Sequence, residues 1–297
     1  MKKYNVAILG ATGAVGAEFL KLIEERNFPF NELRLLASKR SAGKINFMGK
    51  DYTVQEATHD SFAGIDIALF AGGSISKEFA PSAVKAGAVV IDNSSAFRMD
   101  PEVPLIVPEV NPEAILKHKG IIANPNCSTI IMLMALKPIY DLARIKRIIV
   151  STYQAVSGAG KEGIDELTNQ VGEYLDGKEM TANILPSASA EKHYPIAFNL
   201  IPQIDVFCDN LYTKEEMKMV NETRKILDDY DMRITATTIR VPVYRSHSES
   251  VNIELEKDVS LEEIKKALAA FPGVIVQDDP AAQLYPMPLY TSDTDEV

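Results

Sequence analysis

Cys127 stands in the run NPNCST at residues 124–129 and is one of only two cysteines in 297 residues. A thiol with an ordinary pKa near ~8.5 attacks as its thiolate, so a nucleophilic cysteine needs surroundings that favour the anion. A helix start supplies part of this through its partial positive charge and unpaired N–H groups. Residues 128–136, STIIMLMAL, form an apolar helical pattern. That pattern puts Cys127 at or just before a first turn, with the Pro125-Asn126 turn delivering the sulfur to the surface. The commoner fate of a lone cysteine is a small, inert core filler. The residues therefore leave two readings open, filler or nucleophile.

A nucleophile needs an acid–base partner. The chain has four histidines. His59, His118 and His193 lie in polar, loop-like stretches. His247 lies in RVPVYRSHSES, residues 240–250, just past a strongly patterned strand whose end could hold a side chain in a cleft. Position favours His247. No metal site is expected.

A second chemical signal opens the chain. VAILGATGAVG, residues 6–16, is an apolar strand running into Gly10-x-x-Gly13-x-x-Gly16 and then a helix. Glycines let a backbone turn tightly and approach a pyrophosphate, which the helix N-terminus stabilises. The first two glycines are one residue further apart than in the usual dinucleotide turn. The next strand, LRLLA, ends in Ser38-Lys39-Arg40-Ser41 without a carboxylate. An NAD site normally has an acid there for the ribose 2′-hydroxyl. A 2′-phosphate would instead meet Arg40 and the hydroxyls of Ser38 and Ser41. The competing readings are a plain strand–helix turn and a solvated basic loop.

These groups must be held by a core, and the composition allows one. Hydrophobic residues are 46% and charged residues 24%, and the length suits one or two domains. A net charge of −10 argues against a nucleic acid or an anionic membrane as the main partner. The distant Cys127 and Cys208 make no disulfide framework, and no leader or long apolar run is evident, so the chain reads as cytoplasmic.

Short apolar runs at 5–9, 33–37, 65–70, 88–92, 105–107 and 120–123 alternate with amphipathic segments such as 15–25 and 77–86. Such alternation predicts a parallel sheet covered on both faces, a doubly wound Rossmann-type α/β domain. Beyond it, runs at 145–154, 234–242 and 250–256 are longer and alternate, separated by helical patterns at 161–175, 214–228 and 261–271. They predict an α+β domain with a mixed or antiparallel sheet. The expected division is a nucleotide domain over 1–127 and a second domain over 128–297.

Taken in order, GATGAVG, SSAFRMD (94–100), NPNCST, YQAVSGAG (153–160), EEMK (215–218) and RVPVYRSHSES span nearly the whole chain. Together they resemble the aspartate-β-semialdehyde dehydrogenase family. The resemblance implies NADPH-dependent reduction of L-aspartyl-4-phosphate to the semialdehyde through a cysteine thioacyl intermediate, in lysine, threonine and methionine biosynthesis. It makes Cys127 the nucleophile, His247 the acid–base catalyst and Gln154 the group that orients the thioacyl intermediate. It makes Arg240 the clamp for the substrate α-carboxylate and sets Glu215 towards the amino group. Arg98 and Lys218 would bind phosphate, and Asn126 would line the substrate site. NADP(H) would be bound by Gly10, Thr12, Gly13, Ala14, Val15, Ser38, Arg40, Ser41, Ser157 and Gly158. A homodimer is implied, with 128–297 as the catalytic and dimerisation domain.

The roles fit the residue types. A planar carboxylate suits the two parallel hydrogen bonds of an arginine, and a separate phosphate needs its own cations. Glu215 and Lys218 share a face of the predicted helix, where a surface ion pair is the alternative. Competing activities are another acyl-phosphate reductase, such as N-acetylglutamyl-phosphate reductase, and a catalytically silent NADP-binding regulator. The resemblance also implies a further strand and helix after the last residues here, packing back on the first domain. If the 297 residues are a whole polypeptide, weak NADPH binding and little activity are expected; the alternative is that they are one piece of a longer chain.

Overall fold

In the first strand, β1 (Tyr4–Leu9), four consecutive apolar residues from Val6 to Leu9 are essentially inaccessible to solvent. Successive side chains point to opposite faces, so this strand is covered on both. Ala7 and Leu9 join Phe62, Phe70, Phe79 and Val90 in one core cluster, while Val6 and Ile8 join Leu20, Ile23, Leu35 and Val54 in another. Two cores, one on each side of one sheet, are the physical content of a doubly wound fold.

The computed structural model describes residues 2–41 and 43–297. It separates into a first unit ending at Asn126 and a second running Cys127–Val297. In the first, β1 is followed by α1 (Ala14–Glu25), β2 (Phe30–Ala37), β3 (Gly43–Phe47), β4 (Lys50–Glu56), β5 (Ile67–Phe70), α2 (Ser76–Lys85), β6 (Val89–Asp92) and β7 (Ile121–Ala123). The sheet order is β3-β4-β2-β1-β5-β6-β7, parallel throughout except for the β3–β4 pair.

Two details depart from expectation. The β3–β4 hairpin was not foreseen; its turn has positive φ at both Met48 (50°) and Gly49 (73°), the arrangement that matches strand twist. Methionine is an unusual residue for the first of these positions, so the turn is poorly marked. The run 105–107 is no strand but a single parallel bridge from Leu105 to Ala123. Pro104 lacks an N–H and so could not continue a ladder.

The second unit opens with α3 (Cys127–Leu142) and continues through β8 (Ile145–Gln154), α4 (Gly160–Leu175), α5 (Lys214–Leu227), β9 (Arg233–Arg240), β10 (Ser248–Leu255) and α6 (Leu261–Ala270). Its sheet runs β10-β8-β9, antiparallel on one side of β8 and parallel on the other. Ile148, Val150 and Ala236 pack with Met132 and Leu136 of α3 and Met219 of α5. Each large side chain buried this fully contributes about 1.5–3 kcal/mol. This core fixes the sheet face on which the chemistry-bearing residues stand. Gln154, the last residue of β8, pairs in register with Arg240, the last of β9. His247 lies immediately before β10.

Candidate active site

The apolar stripe of α3 anchors the helix, and its first residue, Cys127, is exposed. Ser128 and Thr129 behind it are fully buried. The thiol therefore sits on a rigid element with its sulfur accessible.

Gln154 is buried, and its Nε2 donates to Ser128 Oγ at 2.8 Å and to Glu215 Oε1 at 3.2 Å. A carboxylate only accepts, so the contact with Glu215 fixes the amide orientation. Glu215 sits in the first turn of α5, which is capped by Thr213 with Glu216 returning the bond. Glu216 Oε1 also accepts the Thr238 N–H of β9 at 3.1 Å, which ties the helix start to the strand edge. Lys218 Nζ donates to Glu215 Oε2 at 3.0 Å and to Asp205 Oδ2 at 3.1 Å. Burial alone would lower the Lys218 pKa, but the two carboxylates outweigh it and raise it. Glu215 is only 5% exposed, so this is an internal pair, not one on a solvated helix face.

Arg240 is 3% exposed. Its backbone pairs with Ile201 on the side away from Gln154. Its Nη1 donates to Ala155 O at 2.7 Å, and its Nε has no partner among the described residues. Burial lowers its pKa, against the pull of Glu215 and then Cys127, so the guanidinium is within electrostatic reach of the sulfur. A buried guanidinium with an unused N–H suits an anionic group brought by a ligand.

The backbone N–H of Ala155 donates to His247 Nδ1 at 3.0 Å. That bond assigns the neutral ring its proton on Nε2. Burial, then the Arg240 charge, push the His247 pKa down to about 4. The ring is thus neutral at neutral pH and offers an N–H. Gly158 lies against both groups: a Cβ there would meet Arg240 Nη1 at 2.6 Å and the His247 ring at 3.4 Å. Its neighbour Ser157 is half-buried in the same turn.

The second unit thus brings together Cys127, Gln154, Glu215, Lys218, Arg240, His247 and Gly158. Asp205, the Gln154–Glu215 bond and the buried carboxylate oxygens of the half-buried Glu249 of β10 were not foreseen.

The remaining expected site residues belong to the first unit. Asn126, its last residue, is buried. Arg98 is also buried and donates from Nη2 to Asn93 O at 2.9 Å. Gly10 has φ of 87°, and a Cβ on it would meet Ala71 O at 2.9 Å. A Cβ on Gly16 would meet Gly10 O at 2.3 Å, so only glycine lets α1 lie on the turn. Gly13 caps α1 without a side-chain bond, and the first turn carries no acid. Thr12, Gly13, Ala14 and Val15 are exposed there. Such a helix start fits a pyrophosphate. Ser38, Arg40 and Ser41 are exposed at the end of β2, with the two serine hydroxyls 3.4 Å apart.

Among the described residues no group of three or more His, Cys, Asp or Glu side chains is placed to hold a metal ion, and no helix is long and apolar enough to cross a membrane.

Two family models define the class. Residues 5–118 match the semialdehyde dehydrogenase NAD binding domain, and residues 136–297 match the semialdehyde dehydrogenase dimerisation domain. The chain is 58% identical to the aspartate-semialdehyde dehydrogenase of Aquifex aeolicus (strain VF5), over 99% of this chain and 86% of that one. It resembles the crystal structure of aspartate semialdehyde dehydrogenase II from Vibrio cholerae complexed with ASA, with a TM-score of 0.86 at 50% identity, covering 92% of this chain and 80% of that one. The enzyme of Candida albicans, solved with NADP, gives a TM-score of 0.74 at 25% identity, covering 98% and 86%. The chain belongs to the aspartate-semialdehyde dehydrogenase family and has that family's activity.

Proposed function

We propose that the chain converts L-aspartyl-4-phosphate to L-aspartate 4-semialdehyde through a thioester on Cys127, with NADPH as reductant. The observation that carries this reading is the accessible Cys127 at a helix start, within electrostatic reach of the buried Arg240 guanidinium. The helix end and the guanidinium both favour the thiolate. The sulfur attacks the acyl carbon, the C–O bond to phosphate breaks, and phosphate leaves with the bonding pair.

Arg240 holds the α-carboxylate, using the N–H groups that Ala155 leaves unused. Glu215, held by Gln154 and Lys218, faces the substrate ammonium as its opposite charge. Lys218 and Arg98 take the phosphate charge, and Asn126 lines the substrate site. Gln154 orients the acyl group. His247 gives its Nε2 hydrogen bond to the acyl oxygen as negative charge develops there. In this tautomer it acts as a donor and not as the base that takes the thiol proton.

NADPH, when bound, would supply the hydride that reduces the acyl carbon; the C–S bond then breaks with its electron pair going to sulfur, which releases the aldehyde and returns the Cys127 thiolate. Gly10, Thr12, Gly13, Ala14 and Val15 fit its pyrophosphate, and Ser38, Arg40 and Ser41 fit its 2′-phosphate. Ser157 and Gly158 are assigned to the same cofactor. We assign the protein to the cytoplasm, where free thiols persist, and as a homodimer through its dimerisation-type unit.

Incubation with L-aspartyl-4-phosphate in the absence of reductant should leave an aspartyl adduct on Cys127, read by peptide mass. An unmodified Cys127 in protein that still turns over would overturn the thioester route.

A further inference from the structure

Glu249 stands where an ionised carboxylate has no support. It follows His247 by two residues and is the second residue of β10. It pairs in register with Thr152 of β8, and Thr152 pairs in turn with Thr238 of β9. Register partners share a sheet face. This face is the covered one, since Thr152, Gln154, Thr238 and Arg240 on it are all buried. Next towards the core comes the row Val251–Val150–Ala236, packed beneath α3 and α5. In the other direction comes the Gln154–Arg240 pair. Glu249 therefore occupies the one row between the apolar core and the reacting residues.

Both carboxylate oxygens of Glu249 are buried, and neither has a hydrogen-bond partner among the described residues. The Thr152 hydroxyl opposite is likewise buried and unpaired. The titratable groups gathered at this end of the sheet are Glu215 and its partner Lys218 from α5, Arg240 from β9, His247 ahead of β10, and Cys127 from α3. Lys218 is engaged by Glu215 and Asp205, and the guanidinium of Arg240 gives one hydrogen bond to Ala155 O and none to Glu249. The charge that acts on Glu249 is the like charge of Glu215. A buried carboxylate with no counter-ion is far costlier than the neutral acid. Burial first, and Glu215 second, push its pKa up to about 8.

We propose that Glu249 is a positioning residue of this site, held as a neutral acid one row below Gln154 and Arg240, and that its ionisation ends activity on the alkaline side. The inference rests on the thioester reading above. While Glu249 is neutral, Glu215 is the only one of these two acids that is charged, and its bonds to Gln154 and Lys218 are unopposed. Once Glu249 ionises, two buried negative charges repel each other across this end of the sheet. The Glu215 contacts are then disturbed, and negative potential rises where a thiolate and an anionic substrate have to sit.

The test compares wild type with Glu249→Gln, which keeps the shape and removes the titration. With an apparent pKa of about 8, wild-type kcat/KM should fall roughly tenfold from about pH 7 to about pH 9, and the Gln variant should lose that limb. Infrared spectra of wild type should show a protonated-carboxyl band that disappears over the same range and is absent from the variant. The same alkaline limb in both proteins would overturn the proposal. Should the variant not fold, the wild-type spectrum decides: a carboxyl band that does not titrate in step with kcat/KM overturns it. Wild type that is inactive with L-aspartyl-4-phosphate, yet shows the titrating band, would instead count against the thioester reading alone.

Discussion

On the proposed assignments, the two units of this protein meet negative charge by opposite means. The first uses backbone: a turn of glycines and an uncapped helix start, with side chains kept out of the way. The second uses side chains: Arg240, Lys218, Gln154 and His247, each fixed by a hydrogen bond to a neighbouring strand, turn or helix. A backbone site tolerates any side chain that does not intrude but needs glycine where one would. A side-chain site fixes the residue types and leaves their order along the chain free. The first kind therefore fails by steric intrusion, the second by loss of a single functional group.

The strongest way to sharpen this contrast is Cys127→Ser. We expect kcat/KM to fall by about a thousandfold or more while the NADPH Kd stays within about a factor of two. A matching loss of NADPH affinity would show that the two means are not separable. Gly158→Ala is a direct attempt to break the contrast, because it is a steric intrusion into the side-chain site. With a Cβ placed 2.6 Å from Arg240 Nη1 the guanidinium must shift. A misplacement of that order lowers kcat/KM by about 10- to 100-fold. Weakened NADPH binding with unchanged kcat/KM would instead assign Gly158 to the cofactor alone. Arg40→Ala should cost about 1–3 kcal/mol in NADPH binding and almost nothing with NADH, measured by fluorescence titration. Equal losses with both would make Arg40 a structural residue. The smallest effect belongs to Thr213→Ala, which removes the cap of α5 and should cost about 1 kcal/mol of stability in a denaturant titration. A loss well above that would mean the Glu216 tie to β9 fails together with the cap.

What could be read in advance follows the same division. Gly10, Gly13 and Gly16 announce their turn because backbone geometry is local. The register that seats Gln154 beside Arg240 was not legible, since it joins residues far apart in the chain, although each strand was visible by itself. Alternation in 250–256 was clear, but Glu249 at its inner edge reads as an ordinary solvent-facing acid; only the strand pairing shows it on the covered face. The β3–β4 hairpin is poorly marked because Met48 is an unusual turn residue, and the 105–107 run looks like a strand by its apolar composition although Pro104 before it has no N–H to give. His247 was favoured by position, but its tautomer depends on the Ala155 amide, which no side-chain pattern records.

The Thr238 amide, which Glu216 holds at the edge of β9, has a consequence for how the site can be watched. Its proton is guarded by a carboxylate and not by another strand, as the Ala155 proton is guarded by an imidazole. Solvent can replace either one only when that side chain swings away. The two deuterium-exchange rates are therefore native clocks of catalytic geometry, one for the anchorage of Glu215 and one for the seating of His247. They need no attached probe and no substrate, and a ligand that tightens the site should slow both.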